Sequence, residues 1–310
     1  MTLPSAALRG LTAIVIALVS ALTVASVAQS AAAAGRVIRA VGAENQYADV
    51  IAQVGGRYVS VSSILSNPNT DPHTFESSPS VAGEIAAAQL VVQNGVGYDD
   101  FMNKIESASP DRSRRVITVQ QLLKLPDSTP NPHLWYKPTT MPAVAGAVAR
   151  DLTSILPARA AYFHANLRRF DRSLEPWDHA IARFKAAHAG VPVATTEPVA
   201  DYLLEAVGAD DLTPFRLQAD IMNGLDPSPE DISTQTQLFA DHKVKVFVYN
   251  EQVVDSLTAS FRAAAQKAGI AMVGVYETMP EPGYDYQRWM SAELSALERA
   301  VVDRTSTEKL

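Results

Sequence analysis

Two of the six histidines sit in a setting the other four lack. His73 closes Asp71-Pro72-His73, and His133 closes Asn131-Pro132-His133. A proline ahead of each sets the backbone φ leading into the imidazole and narrows the loop's freedom, which suits a side chain that must hold still for a ligand. The others read as solvated. His164, His179 and His188 fall in one helical stretch without sharing an i, i+4 face, and His242 lies in the charged turn Asp241-His242-Lys243. Carboxylates complete the set: Glu197 follows the apolar run 191–196, and Glu277 follows the run 270–276. Two neutral imidazoles and two carboxylates converging on one point make a site for a divalent cation of intermediate hardness, manganese, iron or zinc. Such a site empties as its histidines protonate, near pH 6.5 for free imidazole. Thiolate chemistry, disulfides and cysteine-linked lipid anchors are all ruled out, because the chain has no cysteine.

The elements that must carry these residues alternate. Strand-like runs at 37–41, 57–65, 90–93 and 116–119 are separated by helical patterns at 45–54, 81–88 and 99–106. From 140 to 188 no strand signal occurs. Pro157 stands where a helix can restart, and apolar residues at spacings of three to five then continue to His188, a stretch of roughly 48 Å at helical rise. Strands are expected again at 191–196, 212–215, 244–249 and 270–276, with helices at 199–207, 229–240, 253–268 and 286–302. This rhythm predicts an α/β fold: two similar lobes with parallel sheets, bridged by a single long helix. Ligands of open parallel sheets gather beyond the strand carboxyl ends. His73, His133, Glu197 and Glu277 all obey that rule, two per lobe, so the metal site belongs in the cleft.

Residues 1–34 read differently. They hold one charge, Arg9, an apolar run from Leu11 to Ala28, and small residues at A-x-A spacing near Ala34. That is the pattern of a secretory signal, or of an uncleaved anchor, since the run just reaches spanning length. The expected organisation is leader 1–34, N-terminal lobe 35–139, helical linker 140–190 and C-terminal lobe 191–310. A net charge of −7 disfavours a nucleic-acid partner.

The residues around the two histidines carry a resemblance. Asp71-Pro72-His73-Thr74-Phe75-Glu76, the run Leu90-Val91-Val92-Gln93-Asn94-Gly95, and Asn131-Pro132-His133-Leu134-Trp135 resemble the metal-binding solute-binding proteins of ABC importers, the cluster A-I or metal-adhesin group for zinc, manganese and iron. Thr195-Thr196-Glu197 with Tyr202-Leu203 is similar to the segment bearing the third ligand. Asp226-Pro227-Ser228-Pro229-Glu230-Asp231 is similar to an acidic turn before a C-lobe helix. The resemblance implies ligands at His73, His133 and Glu197, with the fourth at Glu277 and Asp285 as its substitute. It implies an exported monomer on the periplasmic or extracellular face of the membrane, handing a metal to an ABC permease. Three departures stand out: Glu277 lies where an aspartate is commoner, Asn131 replaces the usual aspartate, and no His-rich loop is present. With Glu197 in place of a third histidine, no His-rich loop, and up to six donor atoms available from two imidazoles and two carboxylates, manganese or iron is favoured over zinc. The alternatives are a zinc-specific member of the group and a metal-dependent hydrolase in the same cleft. Against the hydrolase stand the missing H-E-x-x-H and G-x-S-x-G motifs and a metal with no open position for water.

Overall fold

The computed structural model describes residues 37–69, 71–280 and 282–310. The expected leader lies outside them. In the N-terminal half, β1 (Ile38–Glu44) leads into α1 (Asn45–Gly55), and β2 (Val59–Leu65) into α2 (Pro79–Ala87). Next come β3 (Leu90–Gln93), α3 (Asp100–Ala108), β4 (Arg115–Thr118) and the single turn α4 (Val119–Leu122). β1 is buried at all but one position, as a strand covered on both faces must be. Gly42 is required where β1 meets α1, because a Cβ there would collide with the Ala48 backbone.

Two helices, α5 (Thr140–Ile155) and α6 (Ala160–His188), lead to the C-terminal half. That half holds β5 (Pro192–Thr195), α7 (Asp201–Val207), β6 (Asp210–Asp211), α8 (Phe215–Met222), α9 (Pro229–Ala240), β7 (Val246–Asn250), α10 (Ser256–Lys267), β8 (Ala271–Val275) and α11 (Tyr286–Val302). The two sheets repeat one topology, β2-β1-β3-β4 and β6-β5-β7-β8, every pairing parallel. The expected pair of four-stranded parallel sheets is therefore present, and so is the long helix. α6 has 29 residues and spans about 44 Å. Pro176 sits inside it, where proline is costly. The buried row Phe170, Leu174, Trp177, Ile181 and Phe184 keeps the helix seated across the molecule.

The halves are joined by more than this helix. One apolar cluster runs from Ile38 and Val92 through Trp135, Val148, Phe170 and Trp177 to Val193, Val248 and Trp289, crossing both sheets and α5, α6 and α11. Two boundaries differ from expectation. The strand expected at 212–215 is the two-residue β6, and Pro214 instead caps α8. β2 begins at Val59, because residues 56–58 form a 3-10 turn entered at Gly56 with φ +52°. Among the described residues, no helix is long and apolar enough to cross a membrane.

Candidate metal centre

His73 lies in a 3-10 turn, Pro72–Thr74, beyond β2. Asp71 caps that turn by accepting the His73 amide at 2.8 Å. The His73 side chain is 26% exposed, the only one of the four expected ligands near solvent. His133 is wholly buried ahead of the turn Leu134–Tyr136. Asn131 Oδ1 accepts from both the His133 amide at 2.9 Å and ring Nδ1 at 2.8 Å, while Asn131 Nδ2 donates to the Pro198 carbonyl at 2.7 Å. The outward donation fixes which way the amide faces, so Nδ1 carries the proton and Nε2 points its lone pair into the site.

Glu277 is the centre. Its Oε2 stands 3.3 Å from His73 Nε2 and 3.2 Å from His133 Nε2, and it accepts from the Tyr98 hydroxyl at 2.9 Å. The candidate ligand atoms of His73, His133 and Glu277 all lie within 4.8 Å of one another. Glu197 belongs to the same pocket but not to that cluster. It is 3% exposed, with Oε1 accepting from Asn250 Nδ2 at 3.3 Å and no partner for Oε2 among the described residues. Asp285, the substitute, caps α11 and pairs with Arg288.

The charges of the four expected ligands depend on one another. Burial alone would raise the pKa of Glu277, but its contacts with His133 and His73 outweigh it and hold the group well below the usual carboxylate range. Burial likewise opposes charge on His73, yet the hydrogen bond and charge of Glu277, with Asp71 and Glu197 behind, push it up to about 9. His133 goes the other way, lowered by complete burial despite the pull of Glu277. Glu197 is raised well above its ordinary value by burial and then by the charge of Glu277. At neutral pH, therefore, the His73 imidazolium sits against ionised Glu277, while the shifts of His133 and Glu197 both favour their neutral forms.

Three contributors escaped the sequence reading. Tyr98, immediately before Asp99 at the start of α3, closes one side of the site. Asn250, the last residue of β7, donates to Glu277 Oε1 at 2.7 Å as well as to Glu197. Gln252 accepts the amides of Glu277 and Thr278 at 2.6 and 2.8 Å, pinning the backbone of the central carboxylate. All three lie at or beyond a strand's carboxyl end, the same side of the sheets as the candidate ligands. Contacts crossing between the halves frame the site: Gln46 Nε2 to the Glu277 carbonyl at 3.2 Å, and Tyr136 to the Tyr276 carbonyl at 2.8 Å. Outside it opens a cavity of about 550 Å³ between Asp71, His73 and Thr74 on one side and Met222, Asn223 and Gln252 on the other.

This geometry agrees with what the chain is similar to. The family described as "Zinc-uptake complex component A periplasmic" matches residues 41–300. The chain belongs to this family. Its members are metal-binding solute-binding proteins of ABC importers and not enzymes, so the hydrolase alternative falls away. The manganese-binding lipoprotein MntA of Bacillus subtilis (strain 168) is 21% identical over 278 residues, 86% of this chain and 88% of that one. The high-affinity zinc uptake system protein ZnuA of Haemophilus ducreyi is 22% identical over 236 residues, 65% and 75% of the two chains. In fold, the periplasmic zinc binding protein TroA from Treponema pallidum superposes with a TM-score of 0.72 at 17% identity, covering 88% of this chain and all of that one. FpvC from Pseudomonas aeruginosa, solved in complex with Mn²⁺, gives 0.69 at 22% identity over 87% and 99%.

Proposed function

We propose that this protein captures one divalent transition-metal ion outside the cytoplasmic membrane and passes it to an ABC permease, with His73, His133, Glu197 and Glu277 as the ligands. The observation that carries this reading is the meeting of two histidines and a carboxylate, drawn from both halves, within 4.8 Å. Glu197, with one buried oxygen unpartnered among the described residues and its neutral form favoured by burial, is the fourth ligand. A cation entering from the cavity beside His73 displaces the proton held between His73 and Glu277 and favours the ionised form of Glu197.

The oxygen count bears on which metal. Manganese or iron was favoured because two carboxylates can offer four oxygens. Here Asn250 holds one oxygen of each carboxylate, which leaves Glu277 Oε2, facing both histidines, and Glu197 Oε2, buried without a partner among the described residues. With two imidazoles that makes four donors, the number preferred by zinc. The named relatives divide between manganese and zinc, and the donor count supports zinc as the cargo of this chain.

The test is metal analysis of protein purified without a tag, beside its His133→Ala variant, together with cellular metal content after deletion of the gene. The expected results are near-stoichiometric metal lost in the variant and a fall in cellular zinc. Equal metal in the variant would overturn the site, and a fall in manganese or iron with zinc unchanged would overturn the cargo.

A further inference from the structure

Asn250 is buried to 2% exposure and held on all sides. Its backbone amide donates to Thr196 Oγ1 at 3.0 Å, and its side-chain oxygen accepts the Gln252 amide at 2.9 Å. With Oδ1 committed as an acceptor, the NH₂ must face the other way, into the metal pocket. There it meets two carboxylates, Glu277 Oε1 at 2.7 Å and Glu197 Oε1 at 3.3 Å. An amide nitrogen has two hydrogens, and these two contacts use both. Each carboxylate is left one oxygen for a cation: Glu277 Oε2, already facing both histidines, and Glu197 Oε2, buried without a partner.

We infer that Asn250 is the specificity-determining residue of this site, a positioning group that restricts Glu197 and Glu277 to one metal-bound oxygen each and so caps the coordination number at four. The inference rests on the four-residue reading of the site given above. A carboxylate binds a metal through one oxygen or two. Which occurs depends on what else claims the second oxygen, and a hydrogen bond to an anionic acceptor is among the stronger claims available. Four donors suit Zn²⁺, while Mn²⁺ gains from added carboxylate oxygens. Asn250 is the group that bonds both second oxygens; Gln252 accepts the Glu277 backbone amide, and Tyr98 donates to Oε2 rather than Oε1. Loss of the Asn250 amide therefore frees two oxygens together, one on each side of the pocket.

The experiment is a Co²⁺ titration of the metal-free protein and of Asn250→Ala, read by visible d–d absorption. It is combined with competition measurements of Zn²⁺ and Mn²⁺ affinity for both proteins. Four-coordinate Co²⁺ absorbs strongly and five- or six-coordinate Co²⁺ weakly. The wild type is expected to give the intense four-coordinate spectrum. Asn250→Ala is expected to lose much of that intensity, with the Mn²⁺ to Zn²⁺ affinity ratio rising about tenfold, the scale of one charge-assisted hydrogen bond exchanged. Unchanged intensity and ratio in the variant would overturn the inference, and so would a weak spectrum in the wild type, whatever the variant does. Should the alanine variant lose its cooperative unfolding transition, the near-isosteric Asn250→Leu carries the same comparison. Failure of the site itself is distinguishable, since it would appear as Co²⁺ binding indifferent to His133→Ala.

Discussion

The two halves share one strand order, yet they present their proposed ligands differently. The N-terminal half contributes imidazoles from short turns, and one of these, His73, reaches solvent. The C-terminal half contributes carboxylates, Glu197 two residues after β5 and Glu277 two residues after β8, both buried and braced by Asn250 and Gln252. A carboxylate buried without a cation is expensive, whereas a neutral imidazole is not. The half holding the charge therefore needs amide donors behind it, while the half holding the imidazoles needs only a tautomer set by Asn131 and a short capped turn. The same topology thus serves two chemistries, and the site exists only where the halves meet.

The largest expected effect separates the centre from the rim. Glu277→Ala removes the carboxylate that stands within 3.3 Å of both histidine Nε2 atoms and should weaken metal binding by more than about a hundredfold, beyond the ten- to hundredfold typical of groups behind the ligands. His73→Ala, at the rim, should cost less than His133→Ala, which leaves a buried gap beside Trp135. Calorimetric titration of the three variants ranks them, and a His73 variant worse than Glu277→Ala would reverse the division drawn between the halves.

A second effect, of about tenfold per pH unit, comes from the proton the metal displaces. His73 is raised from 6.5 to about 9 by its partnership with Glu277. That pairing supports the metal-free fold fully below pH 6.5 and is lost as the pH climbs through 9. Metal binding removes the same proton, so apparent affinity should keep rising from pH 6.5 to about 9 and then level off with respect to this group. Free imidazole alone would have placed the plateau near 6.5. Titration in buffers of different ionisation enthalpy counts the protons released, and an affinity flat above pH 7 would show that His73 is not paired as described.

The smallest effect lies at the seam. Glu293 of α11 is buried against Tyr136 at 3.1 Å and Trp289 Nε1 at 2.9 Å, and burial pushes its pKa up to about 8. Folding thus favours its protonated form, a stabilisation complete below its unfolded value and lost as the pH rises through about 8. Glu293→Gln, which cannot ionise, should gain a few degrees of melting temperature over wild type as the pH is taken from 5 to 9. A gap between the two curves that stays constant with pH would place the Glu293 titration elsewhere.

Much of this was legible in the sequence. The helices 229–240 and 286–302 were bounded correctly, because Ser228 and Asp285 are visible caps followed by periodic apolar residues. His73 and His133 stood out by their prolines. β6 was misplaced because Leu212-Thr213-Pro214-Phe215 is a short apolar run whose period cannot tell strand from helix start. Asn250 and Tyr98 were invisible for a different reason. An asparagine at a strand end or a tyrosine in a loop has no distinctive local pattern, and these two acquire meaning only when Glu277, 27 and 179 positions away, arrives beside them.

The apolar cluster that runs unbroken from β1 to α11 has a calorimetric consequence. Two sheets with separate cores would melt as two bodies, each with its own heat-absorption peak. Here Trp135, Phe170, Trp177 and Trp289 belong to one packed body, so neither sheet can be exposed without stripping apolar surface from the other. The described chain is a single unit of unfolding. An ion held between its halves raises the melting point of all of it, by an amount that grows with the logarithm of metal concentration.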